Sequence, residues 1–170
     1  MAIVQRACDV LCMRDLVPTA VTVLLHRFGI IVEWLPDTAP IKGSFWGAPE
    51  AGIVRTTVYV RPDTPVHSFL HETCHIICMA PEIRAGHSGD AASDDSEEAA
   101  VCYLQILLSD RLAAVGRDRL MSDMDAWGYS FRLGNTRRWF ESDAVDARNW
   151  LLQHRLIDEF DHPTGILRKL

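Results

Sequence analysis

Hydrophobic and polar positions alternate along the chain in patterns that predict both helices and strands. Apolar residues recur at helical spacing over 3–13 and 19–28, which predicts two short helices at the start. Residues 30–35 are mostly β-branched and aromatic and end at a Pro-Asp pair, which predicts a strand followed by a turn. Strict alternation over residues 53–60 predicts a second strand, and it is the clearest strand signal in the chain.

Helical patterns dominate the remainder of the chain. Thr64-Pro65 places a capping residue before a proline suited to the first helical position, and it predicts a helix that ends by Pro81. A small and polar stretch of about a dozen residues follows as a predicted loop, and Ser93 can cap the next helix. The spacing of apolar residues predicts that helix over roughly 94–115 and further helices near 117–126 and 143–157.

These elements predict one α+β domain over residues 1–170, because the length is close to the usual size of a single domain. The predicted sheet is small and mostly antiparallel, and it packs on the helix that follows it. The domain is expected to divide into N-terminal helices at 1–28, the sheet at 29–63, two long helices at 64–115 and a C-terminal helical part at 116–170.

The first of the two long helices carries an HExxH motif, from His71 to His75. Residues four apart lie one turn apart on the same helix face, so both imidazoles can bind a single Zn²⁺. Glu72 lies about 100° around the helix from His71. A carboxylate at that place can take a proton from metal-activated water without binding the metal. The motif therefore predicts a zinc site with Glu72 as the general base.

A catalytic zinc site needs a third protein ligand. Glu97 is the predicted one, because at helical spacing it shares a face with the apolar residues that must pack against the domain. Glu98 lies on a more polar face with Cys102 and Gln105 and remains the alternative. Residues ranked below these two are the loop and helix-cap groups His87, Asp90, Asp94 and Asp95, and also Cys74 and Cys78, for which packing is the favoured role.

The chain resembles the ImmA/IrrE family of zinc metallopeptidases in two stretches, TTVYVRPDTPVHSFLHETCHI and, further on, EEAAVCYLQILL. The resemblance covers roughly residues 28–110 and implies a minimal zincin core of gluzincin type in which Glu97 is the third ligand. The chain departs from the family pattern at Val101, where Asn is usual, at Ser109-Asp110, where Met-Pro is usual, and at Cys74. None of these departures removes a ligand or the base.

The motif and the resemblance together predict a zinc-dependent endopeptidase that cleaves a protein, and by resemblance a bacterial or phage repressor of the helix-turn-helix type. The alternative is a metal-bearing regulatory module that binds a repressor or a toxin-system partner without cleaving it.

His₂Glu ligands could also hold Mn²⁺, Co²⁺ or Ni²⁺. Three residues are chemically able to stabilise an oxyanion, and the sequence does not choose among Tyr129, His154 and His162. An extended substrate is expected to add to the strand over 53–60.

Composition narrows the expected location and partners. The net charge of −6 and the lack of a nucleic-acid-binding motif argue against direct nucleic-acid binding, and the mixed basic and aromatic residues over 131–140 are interpreted as a solvated helix end. No apolar run approaches the ~18 residues that span a bilayer, and no signal peptide is evident. The five cysteines lie in helix-like stretches, which favours reduced thiols and a cytoplasmic protein with no membrane contact.

Overall fold

The computed structural model describes residues 10–88 and 93–170. Most of the helix predicted over 3–13, together with Cys8 and Asp90, lies outside these residues. The fold is a mixed α+β arrangement, as predicted, in which a small sheet packs on helices. The described helices are α1 (Pro18–His26), α2 (Val66–Cys78), α3 (Pro81–Gly86), α4 (Asp95–Ser109), α5 (Gly116–Trp127), α6 (Thr136–Ser142) and α7 (Val145–Gln153), and the strands are β1 (Ile31–Trp34), β2 (Gly52–Val54) and β3 (Thr57–Val60).

The sheet has the strand order β1-β3-β2 and is mixed rather than mostly antiparallel, which corrects the sequence prediction. β1 runs parallel to β3, and β2 runs antiparallel to β3. The single strand predicted over 53–60 is a hairpin, because Arg55 adopts a positive φ of 54° and reverses the chain. Its turn contains neither Gly nor Asn. The alternation of apolar and polar residues therefore runs through the turn, and the sequence pattern does not reveal the hairpin.

The outer edge of the hairpin is covered by other parts of the chain. The Ile53 amide donates to the Gly43 carbonyl at 3.3 Å, and the Arg55 amide donates to the His87 carbonyl at 2.9 Å. A Cβ on Gly52 would lie 2.1 Å from the Lys42 carbonyl oxygen, so only glycine permits this close approach. Since β3 is the central strand and β2 is covered, the prediction that residues 53–60 form an open edge for a substrate is wrong.

The helix that carries the HExxH motif forms the centre of the domain. It begins and ends close to its predicted limits, and Phe69, Leu70, Ile76 and Ile77 on it are fully buried. α4 packs against it and is capped by Asp94, one residue after the predicted cap, whose carboxylate accepts the Glu97 amide at 2.8 Å. α2 and α4 therefore fix the orientation of every side chain that faces their shared groove.

The remaining helices surround this pair. The helix predicted near 117–126 is α5, whereas the stretch predicted over 143–157 contains the shorter α7, and α6 was not predicted. The C-terminal segment returns to α2, where the Arg168 amide donates to the Ile77 carbonyl at 2.8 Å. None of the described helices combines the length and the apolar character needed to cross a membrane.

Candidate metal centre

Three side chains from α2 and α4 converge on one point. His71 Nε2 lies 3.0 Å from Glu98 Oε1, His75 Nε2 lies 3.3 Å from Glu98 Oε2, and the two Nε2 atoms are 3.1 Å apart. All candidate ligand atoms of the three residues lie within 4.8 Å of one another. The two histidines are brought together by their spacing on α2, and the carboxylate comes from the first turn of α4.

These separations suit a tetrahedral metal ion. Zinc binds nitrogen and oxygen at about 2.0–2.2 Å, so two ligands of a tetrahedral site are separated by about 3.3 Å. The two Nε2 atoms are 3.1 Å apart, and each lies 3.0 or 3.3 Å from one oxygen of the Glu98 carboxylate. The three residues thus fit a metal ion of this size, and three protein ligands leave one position for a further group.

The third candidate ligand is Glu98, and the prediction of Glu97 as the third ligand is not supported by the geometry. Glu97 points away from the imidazoles, and its Oε2 accepts from Arg168 Nη1 at 3.2 Å. Burial raises the pKa of Glu97, and the charge of Arg168 opposes the rise. Consecutive helical residues lie about 100° apart, so Glu98 reaches the imidazoles while Glu97 reaches Arg168, which contacts the end of α2.

The side of α4 that faces the histidines is the polar one. Glu98, Cys102 and Gln105 follow each other at helical spacing, and Gln105 is fully buried. The predicted ligand Glu97 shares its face with apolar residues, but the apolar residues of this helix pack in the core. The signal that could have selected Glu98 is Gln105, a polar residue in an otherwise apolar stretch of the same helix.

Gln105 fixes the orientation of His71. Its Oε1 lies 2.7 Å from His71 Nδ1, and a neutral amide oxygen can only accept, so Nδ1 carries a proton. Nε2 is then the ring nitrogen that can bind a metal. The Gln105 amide nitrogen donates to the His67 carbonyl at 3.4 Å, which holds the amide in this orientation.

Replacing Gln105 with Leu is expected to weaken zinc binding by about 10- to 100-fold, as loss of an outer hydrogen-bond partner usually does. The fold should persist, because leucine has a similar volume and needs no hydrogen-bond partner at this fully buried position. Competition with a chromophoric chelator measures the affinity. Equal zinc affinity in the variant and the wild type would show that Gln105 does not orient the ligand.

The protonation states of the triad are coupled. Burial lowers the pKa of His75, and the Glu98 hydrogen bond only partly opposes it, so the ring is in the neutral form that binds metals. Burial also disfavours charge on His71, whereas its hydrogen bond with the Glu98 carboxylate favours the charged form, and the net result is a raised pKa. Burial alone would raise the pKa of Glu98, whereas its hydrogen bonds to both histidines lower it. A metal has to displace the proton on His71, so its affinity should fall as the pH falls.

The triad lies in a cleft of about 690 Å³ that has further chemistry-bearing residues on its walls. Glu72 lines this cleft, as the predicted base should, and so does Tyr129. His154 and His162 do not line it. His154 Nδ1 instead lies 2.8 Å from the Trp150 carbonyl, and His162 Nδ1 lies 3.2 Å from the Asp158 carboxylate. Of the three residues considered for an oxyanion, the structure brings only Tyr129 to the cleft.

The other candidate ligands occupy different places. Asp95 lines the cleft, while Asp94 caps α4. His87 is buried but does not belong to the ligand cluster of the described residues. Cys74 and Cys78 are buried in the core, and burial raises the pKa of both thiols, which keeps them protonated. Packing is therefore the role of both thiols.

A hydrogen-bond network extends from the triad along the cleft. Tyr129 Oη lies 3.2 Å from His67 Nδ1, one helical turn before His71. Burial lowers the pKa of His67 to about 3, so this ring is neutral. Burial also raises the pKa of Tyr129, which keeps its hydroxyl protonated. His67 was not predicted from the sequence, because its partner Tyr129 lies after α5, far along the chain.

Comparisons with protein-family models, with curated proteins and with solved structures found no match for this chain. The resemblance to the ImmA/IrrE family therefore stays a prediction from the motif. The His₂Glu cluster, the cleft that encloses it and the Glu72 carboxylate that lines this cleft are the observations from which a function can be inferred.

Proposed function

We propose that the protein is a zinc-dependent endopeptidase of minimal zincin type. The observation that carries the proposal is the convergence of His71, His75 and Glu98 at the separations expected between ligands of one metal ion, in a cleft that Glu72 also lines. A purely structural zinc site is closed by four protein ligands, whereas three ligands beside an open cleft are typical of catalytic sites. Glu98 replaces Glu97 as the proposed third ligand.

Each residue has a distinct role in this proposal. A bound zinc ion would polarise the peptide carbonyl and make water a stronger nucleophile at neutral pH. Glu72 accepts the proton of the attacking water and returns it to the leaving amine. Gln105 keeps Nε2 of His71 directed at the site, and the neutral ring of His75 supplies its lone pair.

Tyr129 is proposed to donate its hydroxyl proton to the oxygen that becomes negative during attack. Its ring centroid lies 6.0 Å from that of His71, on the wall of the same cleft. The buried hydroxyl keeps its proton, so it can donate at neutral pH.

Replacing Tyr129 with Phe should lower kcat/KM by about 100-fold, the usual cost of losing one such donor. Zinc content should not change, since the hydroxyl is not a ligand. Steady-state kinetics on a fluorogenic peptide measures the effect, with zinc content determined on the same samples. Unchanged kcat/KM would exclude Tyr129 as the donor.

The proposed substrate is a protein, and the resemblance favours a repressor of the helix-turn-helix type. The cleft is open and has aromatic walls, which suits an extended peptide segment better than a small molecule. The covered outer edge of β2 means that such a segment must bind through cleft side chains rather than by adding a strand there.

The proposal is tested by incubating zinc-loaded protein with unfolded casein and with purified helix-turn-helix repressors, followed by mass spectrometry of the products. New peptide termini that depend on zinc and vanish on chelation would support it. Stable binding of a repressor with no cleavage at any zinc concentration would favour the regulatory module instead.

A further inference from the structure

The cleft that contains the triad carries an unbalanced negative charge. Its walls include four carboxylates, Glu50, Glu72, Asp95 and Glu98, and no lysine or arginine among its described residues. Glu98 and Glu72 are used by the proposed metal site and base. Glu50 and Asp95 have no part in that chemistry, so they favour a cation elsewhere in the cleft.

Glu50 is a partly buried carboxylate that forms no ion pair with a lysine or arginine of the described chain. Its Oε1 accepts from Trp127 Nε1 at 3.0 Å, and Trp127 belongs to α5. Burial raises the pKa of Glu50, although the Trp127 hydrogen bond and the charge of His71 oppose the rise. A positive group from a ligand would compensate the burial of this carboxylate.

Aromatic rings line the same cleft as this carboxylate. Trp127 lies beside it, and Phe45 and Trp46 form an edge-to-face pair on the cleft wall with centroids 4.9 Å apart. These two rings are 61% and 77% exposed, an unusual exposure for such large apolar side chains. A guanidinium group can stack on a tryptophan ring while it donates to a carboxylate, which a lysine ammonium does less well.

An unpartnered ring nitrogen lies in the same cleft. His67 is 1% exposed and lines the cleft, its ring centroid lies 5.0 Å from that of Trp127, and its Nε2 has no partner in the described part of the chain. Because the Tyr129 hydroxyl is proposed to donate to the substrate oxygen, its own oxygen accepts from Nδ1 of the neutral His67 ring, and Nε2 then carries a lone pair. That lone pair can accept a backbone N–H of a bound peptide.

We infer that Glu50, Trp127 and the Phe45-Trp46 pair form a subsite for an arginine side chain of an extended peptide. The inference rests on the proposed function, since it places this arginine within a few residues of the bond to be cleaved. The substrate class is therefore a protein segment with an arginine near the scissile bond.

The test measures binding without cleavage. Fluorescein-labelled nonapeptides that carry one arginine at successive positions of an alanine-serine background are titrated against zinc-loaded Glu72→Gln protein by fluorescence anisotropy. Each is compared with the same peptide carrying citrulline, which keeps the shape but lacks the charge. At the best position arginine should bind at least about 10-fold tighter than citrulline, as expected for a charged hydrogen bond in a partly buried site.

Variants then localise the preference. Glu50→Gln in the same background should bring the arginine and citrulline peptides to near parity, because the amide keeps an acceptor for Trp127 but carries no charge. Glu33→Gln makes the same change on exposed β1, outside the cleft, and should leave the preference intact.

Equal binding of arginine and citrulline at every position would overturn the subsite, whatever the variants do. A preference that survives Glu50→Gln would also overturn it. If the wild type shows the preference but cleaves no protein, the subsite stands and the endopeptidase proposal fails. If it cleaves proteins without any preference for arginine, the endopeptidase stands and the subsite fails.

Discussion

Replacing Glu72 with Gln is expected to reduce peptide hydrolysis by up to about 10⁴-fold, the upper range for loss of a general base. Glutamine is nearly the same size and can still hydrogen-bond, but it cannot accept the proton of the attacking water. Glu72 lies next to a ligand on α2 and lines the cleft, so the change affects the site without removing a ligand.

The measurement is kcat/KM on a peptide that the wild type cleaves. Zinc content and thermal unfolding of the variant should match those of the wild type, which separates loss of the base from loss of the metal. Hydrolysis that persists at the wild-type rate would exclude Glu72 as the base and with it the proposed mechanism.

The second large effect is expected from the two neighbouring glutamates of α4. Glu98→Ala removes a ligand and should weaken zinc binding by more than the roughly 100-fold that an outer partner can cost. Glu97→Ala should bind zinc as the wild type does, because its carboxylate pairs with Arg168 instead of the histidines. The two substitutions are chemically identical and adjacent, so each is the matched control of the other.

Stability provides the readout for this pair. Zinc at about 100 times its Kd should stabilise the wild type and Glu97→Ala by about 2.7 kcal/mol, and it should barely affect Glu98→Ala. Without zinc, Glu97→Ala should be less stable by about 1–3 kcal/mol, because Arg168 loses its charged partner. A zinc response that is lost in Glu97→Ala and kept in Glu98→Ala would restore the prediction made from the sequence.

The centre of the fold could be predicted from local patterns. α2 is marked by Thr64-Pro65 at one end and by the proline that follows it at the other, and its HExxH spacing requires both imidazoles to share a face. The strand over 31–34 is marked by its β-branched and aromatic residues. In each case the signal lies within the element itself.

The features that were missed depend on contacts between distant segments. The hairpin turn has Arg55 at positive φ, and its amide is satisfied by His87, more than thirty residues later. The choice between Glu97 and Glu98 depended on which carboxylate meets the imidazoles, and Arg168, some seventy residues later, binds the other one. Glu50 and Tyr129 reach the cleft from two further places in the sequence.

Bound zinc is the most direct test of the central claim that His71, His75 and Glu98 form a metal site. Elemental mass spectrometry is performed on untagged protein that has been incubated with zinc and freed of excess metal, for the wild type, His75→Ala and Glu98→Ala. The site predicts about one zinc per chain in the wild type and marked loss in both variants. A wild type that retains no zinc, or variants that retain as much as the wild type, would contradict it.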